Sequence, residues 1–372
     1  MTDELLRAVL NTLLREDFQG IRSRGTIVDG RFLRFDHGGS VASIPVRADG
    51  FLCDVAVREP VISCDGQAYT DLASVFAFFR KRVDPVDLAG FDTFEQECQA
   101  ALATARIQRE HRSTAPRCYD ALAAYAGHPV YPTANARVGI SARDQLLYAP
   151  EYHSTFTLNW IGVPAADVTS AGTLPDWWPS STELGLPDDQ VPFPVHPLTA
   201  TGRPSRITVL PTLSMRTVAV LADPTTHIKL PLPISTLGLR NRRTIKPGTL
   251  VDGAITQRLL TTVLDLEPTF ADRVLLADEQ TYAHADDELR AFLVRRYPPE
   301  LASTEVVPLA ALPGRADGRT VLDDLADRYF DGDRLALLAS YLEPLLDFQT
   351  TLLLRYGMAL ESHQQNVSLV LD

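Results

Sequence analysis

The apolar residues of this 372-residue chain change their period several times, and that limits the fold more than any other feature. Residues 4–17 carry Leu5, Leu6, Val9, Leu10, Leu13 and Leu14, spaced for one face of a helix. From 26 to 64 the pattern gives way to short runs such as Thr26-Ile27-Val28 and Val41-Ala42-Ser43-Ile44-Pro45-Val46. Asp-Gly pairs at 29–30, 49–50 and 65–66 break these runs, which predicts hairpins. Helices are predicted near 70–82 and 93–112. Residues 164–204 are rich in Pro, Ser, Thr and Asp and read as a long connection between domains.

Beyond that connection, Arg206–Leu221 and His227–Leu232 read as strands joined by Ala222-Asp223-Pro224-Thr225-Thr226. A helix is predicted near 286–297, ending before Pro298-Pro299. The last helix is expected from Arg334 to Tyr356, with Tyr341, Leu345, Phe348 and Leu352 as its buried stripe. Pro344 should kink it, and Gly357 is placed to cap it. Val367, Leu369 and Leu371 follow with no evident packing partner, so the last residues are expected to fray. No internal repeat and no Gly-rich phosphate loop of the Walker or Rossmann type occurs.

The formal net charge of −12 argues against a nucleic-acid partner, which needs a basic surplus or stripe. No apolar run approaches the roughly 20 residues of a membrane helix. The start, Met1-Thr2-Asp3-Glu4, lacks the basic-then-apolar pattern of a secretory signal, so a cytoplasmic protein is expected. Cys53, Cys64, Cys98 and Cys118 form no Cys-x-x-Cys pair, which fits reduced thiols and argues against zinc.

Three clusters could carry chemistry. In Gly127-His128-Pro129-Val130-Tyr131-Pro132, two prolines stiffen the chain around His128; Asn135 and Arg137 share a face if the segment is extended. A Pro-kinked loop with a structural histidine is the plainer reading. Ser214 and Arg216 would share one face of a strand. With Ala222 opposite His227, Val220 would face Lys229 and bring Lys229 onto that face; a one-residue slip would remove it. Thr236 and Arg240 follow closely. Together they would make an anion cradle, Arg offering a planar fork and Lys a point charge; the alternative is a strand with solvated cations. Glu361, His363 and Asn366 sit in a dense polar run with apolar flanks, read as buried. They converge only if the chain turns around Gln364-Gln365. Glu and Asn oxygens suit Mg²⁺, and His363 suits a phosphate or a reacting carbonyl; the alternative is a buried hydrogen-bond network.

In this order the clusters resemble the NRPS-independent siderophore (NIS) synthetases of the aerobactin-synthetase-like IucA/IucC family. Gly127, His128, Pro129, Pro132, Arg137 and Gly139 match its first motif. Ser214, Arg216 and Thr217 match a Ser-x-Arg-Thr element, Lys229 the following strand lysine, and Thr236 and Arg240 a Thr-x-x-x-Arg element. Glu361, His363, Gln365 and Asn366 match Glu-x-His-x-Gln-Asn. The resemblance implies adenylation of a carboxylic acid (citrate or a derivative) with ATP and Mg²⁺, then condensation with an amine or hydroxyl. It implies that Ser214, Arg216, Lys229, Thr236, Arg240 and His363 line the triphosphate, with Arg216, Lys229 and His363 catalytic. Glu361 and Asn366 would approach the metal, and His128, Asn135 and Arg137 the acid.

The implied fold is α+β, a multidomain cupped hand of thumb, fingers and palm with an antiparallel sheet in the fingers and most of the palm missing. Residues 1–175 would be thumb-like, 176–325 fingers-like with the ATP-binding sheet, and 326–372 the start of the palm. Family members continue beyond the Gln-Asn element, so a second chain supplying the palm, or a homodimer, is an expected partner; a nucleotide-binding remnant or half of a split synthetase is the alternative. Tyr131 and Asn135 stand where the family usually has His and Lys, and Leu198-Thr199 where it has Trp-Gln. These departures point to altered acid recognition.

Overall fold

The structure, a computed structural model, describes residues 2–112, 118–235 and 242–372. Contacts divide the chain into Met1–Glu110 with Gly127–Ile140 and Ile234–Asn241, and His111–Ala126 with Ser141–Pro233 and Arg242–Asp372.

The first unit follows its sequence pattern closely. Helix α1 (Thr2–Arg15) buries Leu6, Val9, Leu10, Leu13 and Leu14. An antiparallel sheet follows, made of β1 (Thr26–Val28), β2 (Phe32–His37), β3 (Ser40–Ala48), β4 (Val55–Val57), β5 (Ile62–Cys64) and β6 (Gln67–Tyr69). Its order is β1-β2-β3-β5-β6, with β4 also on β3. Asp65-Gly66 is a two-residue hairpin loop with positive φ at both residues, as right-twisted strands require, and Asp29-Gly30, also both at positive φ, turns β1 into β2 within the three-residue loop 29–31. Helix α2 (Leu72–Arg80) starts at a reciprocal Asp71–Ser74 capping box and brings Phe76, Phe78 and Phe79 into the core; α3 (Leu88–Glu110) completes the unit. Cys53, Cys64 and Cys98 are buried and Cys118 half-buried, all as free thiols.

The second unit begins with α4 (Tyr119–Ala126) and α5 (Ala142–Tyr148). Its sheet is built from β7 (Phe156–Pro164), β8 (Thr169–Ala171), β9 (Gln190–Val195), β10 (Arg203–Pro211), β11 (Thr217–Val220) and β12 (Asp223–Lys229). After α6 (Pro247–Leu266) come β13 (Asp278–His284) and β14 (Ala291–Arg296). The eight strands are ordered β8-β13-β14-β12-β11-β10-β7-β9, and every pairing is antiparallel.

Two sequence expectations fail here. Residues 164–204 are not a connection: they supply β8 and β9, the two edges of the sheet. Trp177 donates from Nε1 to Asp223 Oδ2 at 3.1 Å, and Trp178 packs edge-on to Trp160 at 4.8 Å. A few aromatic anchors fix a segment whose composition hides short strands. The helix expected near 286–297 is instead β14. Its run Ala291-Phe292-Leu293-Val294 is apolar throughout, and periodicity cannot assign such a run. The boundary expected at 175 falls between β8 and β9 of one sheet, and that at 325 falls inside α7 (Val321–Tyr329).

The remaining elements are β15 (Glu305–Pro308), β16 (Arg315–Ala316), β17 (Arg319–Thr320), α8 (Arg334–Tyr356) and β18 (Ser368–Leu371). Gly357 caps α8 at φ 64°. Leu337, Phe348 and Leu352 form its buried stripe, while Tyr341 and Leu345 are half-buried. The C-terminal residues do not fray. β18 pairs with β15, Val307 opposite Leu369, and Leu369 is buried.

Glu305 ties these elements together: it pairs with Arg328 and accepts from the hydroxyls of Tyr119 and Tyr329. Burial alone would raise its carboxyl, but Arg328 and the two hydroxyls outweigh this and hold it at about 2. A depressed folded pKa stabilises above the unfolded value of about 4.3, and that contribution is lost as pH falls toward the folded value. Glu305→Gln should cost about 1.5–3 kcal/mol at neutral pH and flatten the acid limb. Urea unfolding across that pH window checks both.

Candidate functional site

The second unit contains a cavity of about 130 Å³ lined by Arg216, Lys229, Thr244, Thr249, Gly253 and Glu279, with Ile245, Leu250 and Leu293 as apolar wall. Register places it. Lys229 pairs with Thr217 on one side and Leu293 on the other, and Leu293 pairs with Tyr282. This row belongs to the face on which Ile245, Leu250 and Ala254 pack against Tyr282 and Leu293. The alternate row, with Val218, Ile228 and Val294, belongs to the other core. Lys229 is therefore held on the face that α6 covers.

Arg216 reaches the cavity by another route than the one expected. The run 206–221 is interrupted: Thr212–Arg216 form a turn between β10 and β11. Val220 pairs with Asp223 across a bulge, not with Lys229. By strand alternation alone this register would have parted Arg216 from Lys229. The turn reunites them. Met215 takes a left-handed backbone at φ 60°, and Arg216 then donates from Nη1 to the carbonyls of Arg243 (3.2 Å) and Thr244 (2.8 Å). Ser214 does not line the cavity; its hydroxyl accepts the Thr217 N–H at 3.0 Å and closes the turn.

Cations outnumber carboxylates in the lining of the cavity. Burial, with Arg243 and Arg295 nearby, pushes Arg216 down to about 10. Burial also lowers Lys229; Glu279 opposes this, while Arg216, Arg295 and Arg243 add to it. Glu279 bonds Arg295 at 2.5 Å, which outweighs burial and raises that arginine. His227, half-buried beside Arg295, is lowered by desolvation and then by that arginine to about 4 and is neutral near neutral pH. One lining carboxylate thus faces several cations. Glu279, Arg295, Thr244 and Thr249 were missed from sequence, because reading β14 as a helix concealed that Arg295 lies across from His227.

The other predicted residues fall elsewhere. Glu361, His363 and Asn366 are exposed and do not line this cavity. The chain does turn at Gln364–Asn366, as their convergence required. Asn366 Nδ2 donates to the Glu361 carbonyl at 2.9 Å, and His363 Nε2 lies 4.0 Å from the Glu361 carboxylate. Apolar flanks had suggested burial, but this turn bonds its own backbone and faces outward. Among the described residues, no group of three His, Cys, Asp or Glu is placed to hold a metal. One carboxylate and one amide oxygen fit a Mg²⁺ ion carried mainly by phosphates and water.

His128 Nδ1 accepts the Val130 and Tyr131 N–H groups, both at 3.1 Å, in the first unit. Its loop is a series of turns, not extended: Ala134 donates to Tyr131 and Ala136 to Thr133. Arg137 is buried and Asn135 half-buried. Thr236 and Arg240 lie outside the described residues. His196, two residues before Leu198, is fully buried against Tyr148 and Phe156 and depressed to about 3 by burial, so it is a packing residue.

Residues 119–203 and 198–314 match the sequence model of the IucA/IucC family, slightly more than half of the chain. The chain belongs to the IucA/IucC family. Among curated proteins, the uncharacterized protein y4xN of Sinorhizobium fredii is 25% identical over 305 residues, covering 68% of this chain and 48% of that protein. The chain thus spans about half the length of this relative. Its fold is that of solved NIS synthetases. The petrobactin biosynthesis protein AsbB of Bacillus anthracis matches with a TM-score of 0.80 at 20% identity, covering 99% of this chain and 70% of that one. Aerobactin synthetase IucC of Klebsiella pneumoniae matches at 0.77 and 19%, covering 99% and 74%. ATP-bound IucA from the same organism matches at 0.75 and 18%, covering 100% and 77%.

Tripolyphosphate titrated by calorimetry should bind the cavity. Arg216→Ala should weaken it by about 1.5–3 kcal/mol, the range for hydrogen bonds to charged groups. Because Lys229 is lowered, affinity should fall as pH rises through a value below the ordinary lysine range, and Lys229→Met should remove that alkaline limb.

Proposed function

We propose that the chain is an ATP-dependent siderophore synthetase that adenylates a carboxylic acid, citrate or a derivative, and condenses it with an amine or hydroxyl. The observation that carries this reading is the pairing of Arg216 and Lys229 in one cationic cavity, in a chain of the IucA/IucC family. The ATP-bound state of IucA, whose fold it shares, supports ATP as the nucleotide.

The chemistry follows from charge. A substrate carboxylate oxygen attacks the α-phosphorus of ATP, and pyrophosphate leaves with the bonding pair. Negative charge grows on the α-phosphate and the leaving group. Arg216 and Lys229, fixed before reaction in a partly desolvated wall, offset it without reorganising. Arg216 is preset by the Arg243 and Thr244 carbonyls that hold one nitrogen of its fork. Glu361 and Asn366 would hold Mg²⁺, which when bound neutralises phosphate charge. The amine nitrogen or hydroxyl oxygen then attacks the acyl carbon, loses its proton, and AMP leaves; holding the two reactants together supplies the proximity term. His128, Asn135 and Arg137 would recognise the acid, with Asn135 lacking the charge that a lysine would bring.

The test is pyrophosphate release from ATP and Mg²⁺ over a panel of acids, with hydroxylamine trapping the activated acyl group. Acid-dependent release with hydroxamate formation, abolished by Arg216→Ala, is expected. ATP binding with no acid-dependent release from any acid would replace this reading with that of a nucleotide-binding remnant. In an active preparation, Asn135→Lys should shift preference toward more highly charged acids. An unchanged acid preference would remove Asn135 from the recognition set.

A further inference from the structure

We infer that Asp120 is the positioning residue of the Arg216 turn: its carboxylate, presented by α4, holds the turn in the conformation that delivers Arg216 to the cavity. Its consequence for ATP rests on the function proposed above; its consequence for the turn does not.

The turn is difficult to hold. Met215 adopts a left-handed backbone without being glycine, a conformation that persists only where the surroundings impose it. Its side chain is buried, at 2% exposure. Several bonds close the turn on itself: Met215 N–H to the Thr212 carbonyl (2.9 Å), Thr217 N–H to Ser214 Oγ (3.0 Å) and Thr212 Oγ1 to the Thr217 carbonyl (2.8 Å). These set its shape but not its direction. Direction comes from outside. At the C-terminal end, the Arg216 carbonyl accepts the Leu230 N–H at 2.7 Å. At the N-terminal end, the Leu213 N–H donates to Asp120 Oδ1 at 2.6 Å, across 93 positions of sequence. The acceptor there is a carboxyl oxygen of a group that burial pushes above the usual carboxylate range, the Leu213 N–H opposing that shift, and the bond is short. Asp120 also sits in the first turn of α4, where a helix favours negative charge. Asp120 does not line the cavity; it would act through Arg216.

The experiment uses the full chain and five variants: Asp120→Ala, Asp120→Asn, Arg216→Ala, and each Asp120 substitution combined with Arg216→Ala. Two quantities are read: ATP affinity, and amide hydrogen exchange of peptides covering 212–217. Asp120→Ala should quicken exchange in those peptides and weaken ATP about tenfold. Asp120→Asn keeps an acceptor at the same reach and should restore most of both. In the Arg216→Ala background, loss of Asp120 should cost ATP affinity nothing further, because residues that act as one unit are not additive. An equal loss in both backgrounds overturns the assignment, since Asp120 would then act independently of Arg216. Unchanged exchange at 212–217 also overturns it. If the wild-type chain binds no ATP, the proposed function fails while the exchange measurement still decides the role of Asp120. Should Asp120→Ala not fold, Asp120→Asn carries the test. A loss of about two- to threefold in ATP affinity that vanishes in the Arg216→Ala background supports the inference, and an equal loss in both overturns it.

Discussion

Lys229 lies in the middle of an eight-stranded sheet on a face covered by a helix, and a half-buried, partly desolvated ammonium is the constraint around which the second unit is arranged. Removing such a charge from water costs several kcal/mol unless the surroundings return it. Glu279, from the second strand over, supplies the opposing charge while also pairing with Arg295. The register that aligns Thr217, Lys229, Leu293 and Tyr282 has to be held, because a slip of one residue would send Lys229 into the apolar packing of Ile228, Val218 and Val294. That packing is what fixes the register. The apolar row and the charged row are two sides of one alternation.

Where local chemistry decides conformation, the sequence was readable. Asp29-Gly30 and Asp65-Gly66 turn because only residues tolerant of positive φ fit those loops, and Gly357 caps α8 for the same reason. Helix α1 was visible because its apolar spacing suits a helix and nothing else. The sheet of the second unit was less visible. Its register depended on an irregularity between Ala219 and Val220, where β12 carries three extra residues between the partners Asp223 and His227, an odd number that inverts the parity of everything beyond it. No pattern in Ala222-Asp223-Pro224-Thr225-Thr226 announces that irregularity. Arg216 and Lys229 were thus correctly placed together by an argument whose two errors, an unbroken strand and a shifted register, cancelled.

The misread segments share a cause. Residues 164–204, the 291–296 run and the Glu361 cluster were each judged by composition over a window. Short edge strands, a run apolar on both faces, and a polar turn cannot be separated that way. Strands β8 and β9 belong to the sheet because Trp177 and Trp178 anchor the chain between them. β18 escapes fraying because β15 offers it a ladder and Val307 a contact for Leu369, neither of which local sequence reveals. The apolar flanks of the Glu361 cluster suggest burial that its polar residues do not share. Exposure is the ordinary state of such residues, and the turn satisfies its own backbone without a core.

The Ser-x-Arg-Thr element shows how a motif and its structure divide the work. Read as a strand, it offered a hydroxyl and a guanidinium to the same ligand. In the structure only the guanidinium lines the cavity. Ser214 spends its hydroxyl on the Thr217 amide, Met215 takes the left-handed step, and buried Thr217 opens β11 opposite Lys229. The element is a specification for a turn that presents a single residue. A guanidinium delivered by a strand would alternate with its neighbours and depend on register. Delivered by a closed turn, it depends on what holds the turn, which is why its geometry tolerates the irregularity that begins three residues beyond it, at Ala219. The cation's reach into the cavity is thus set by backbone bonds at its own position and by the carbonyls of Arg243 and Thr244. Its charge is left to be balanced by whatever the cavity admits.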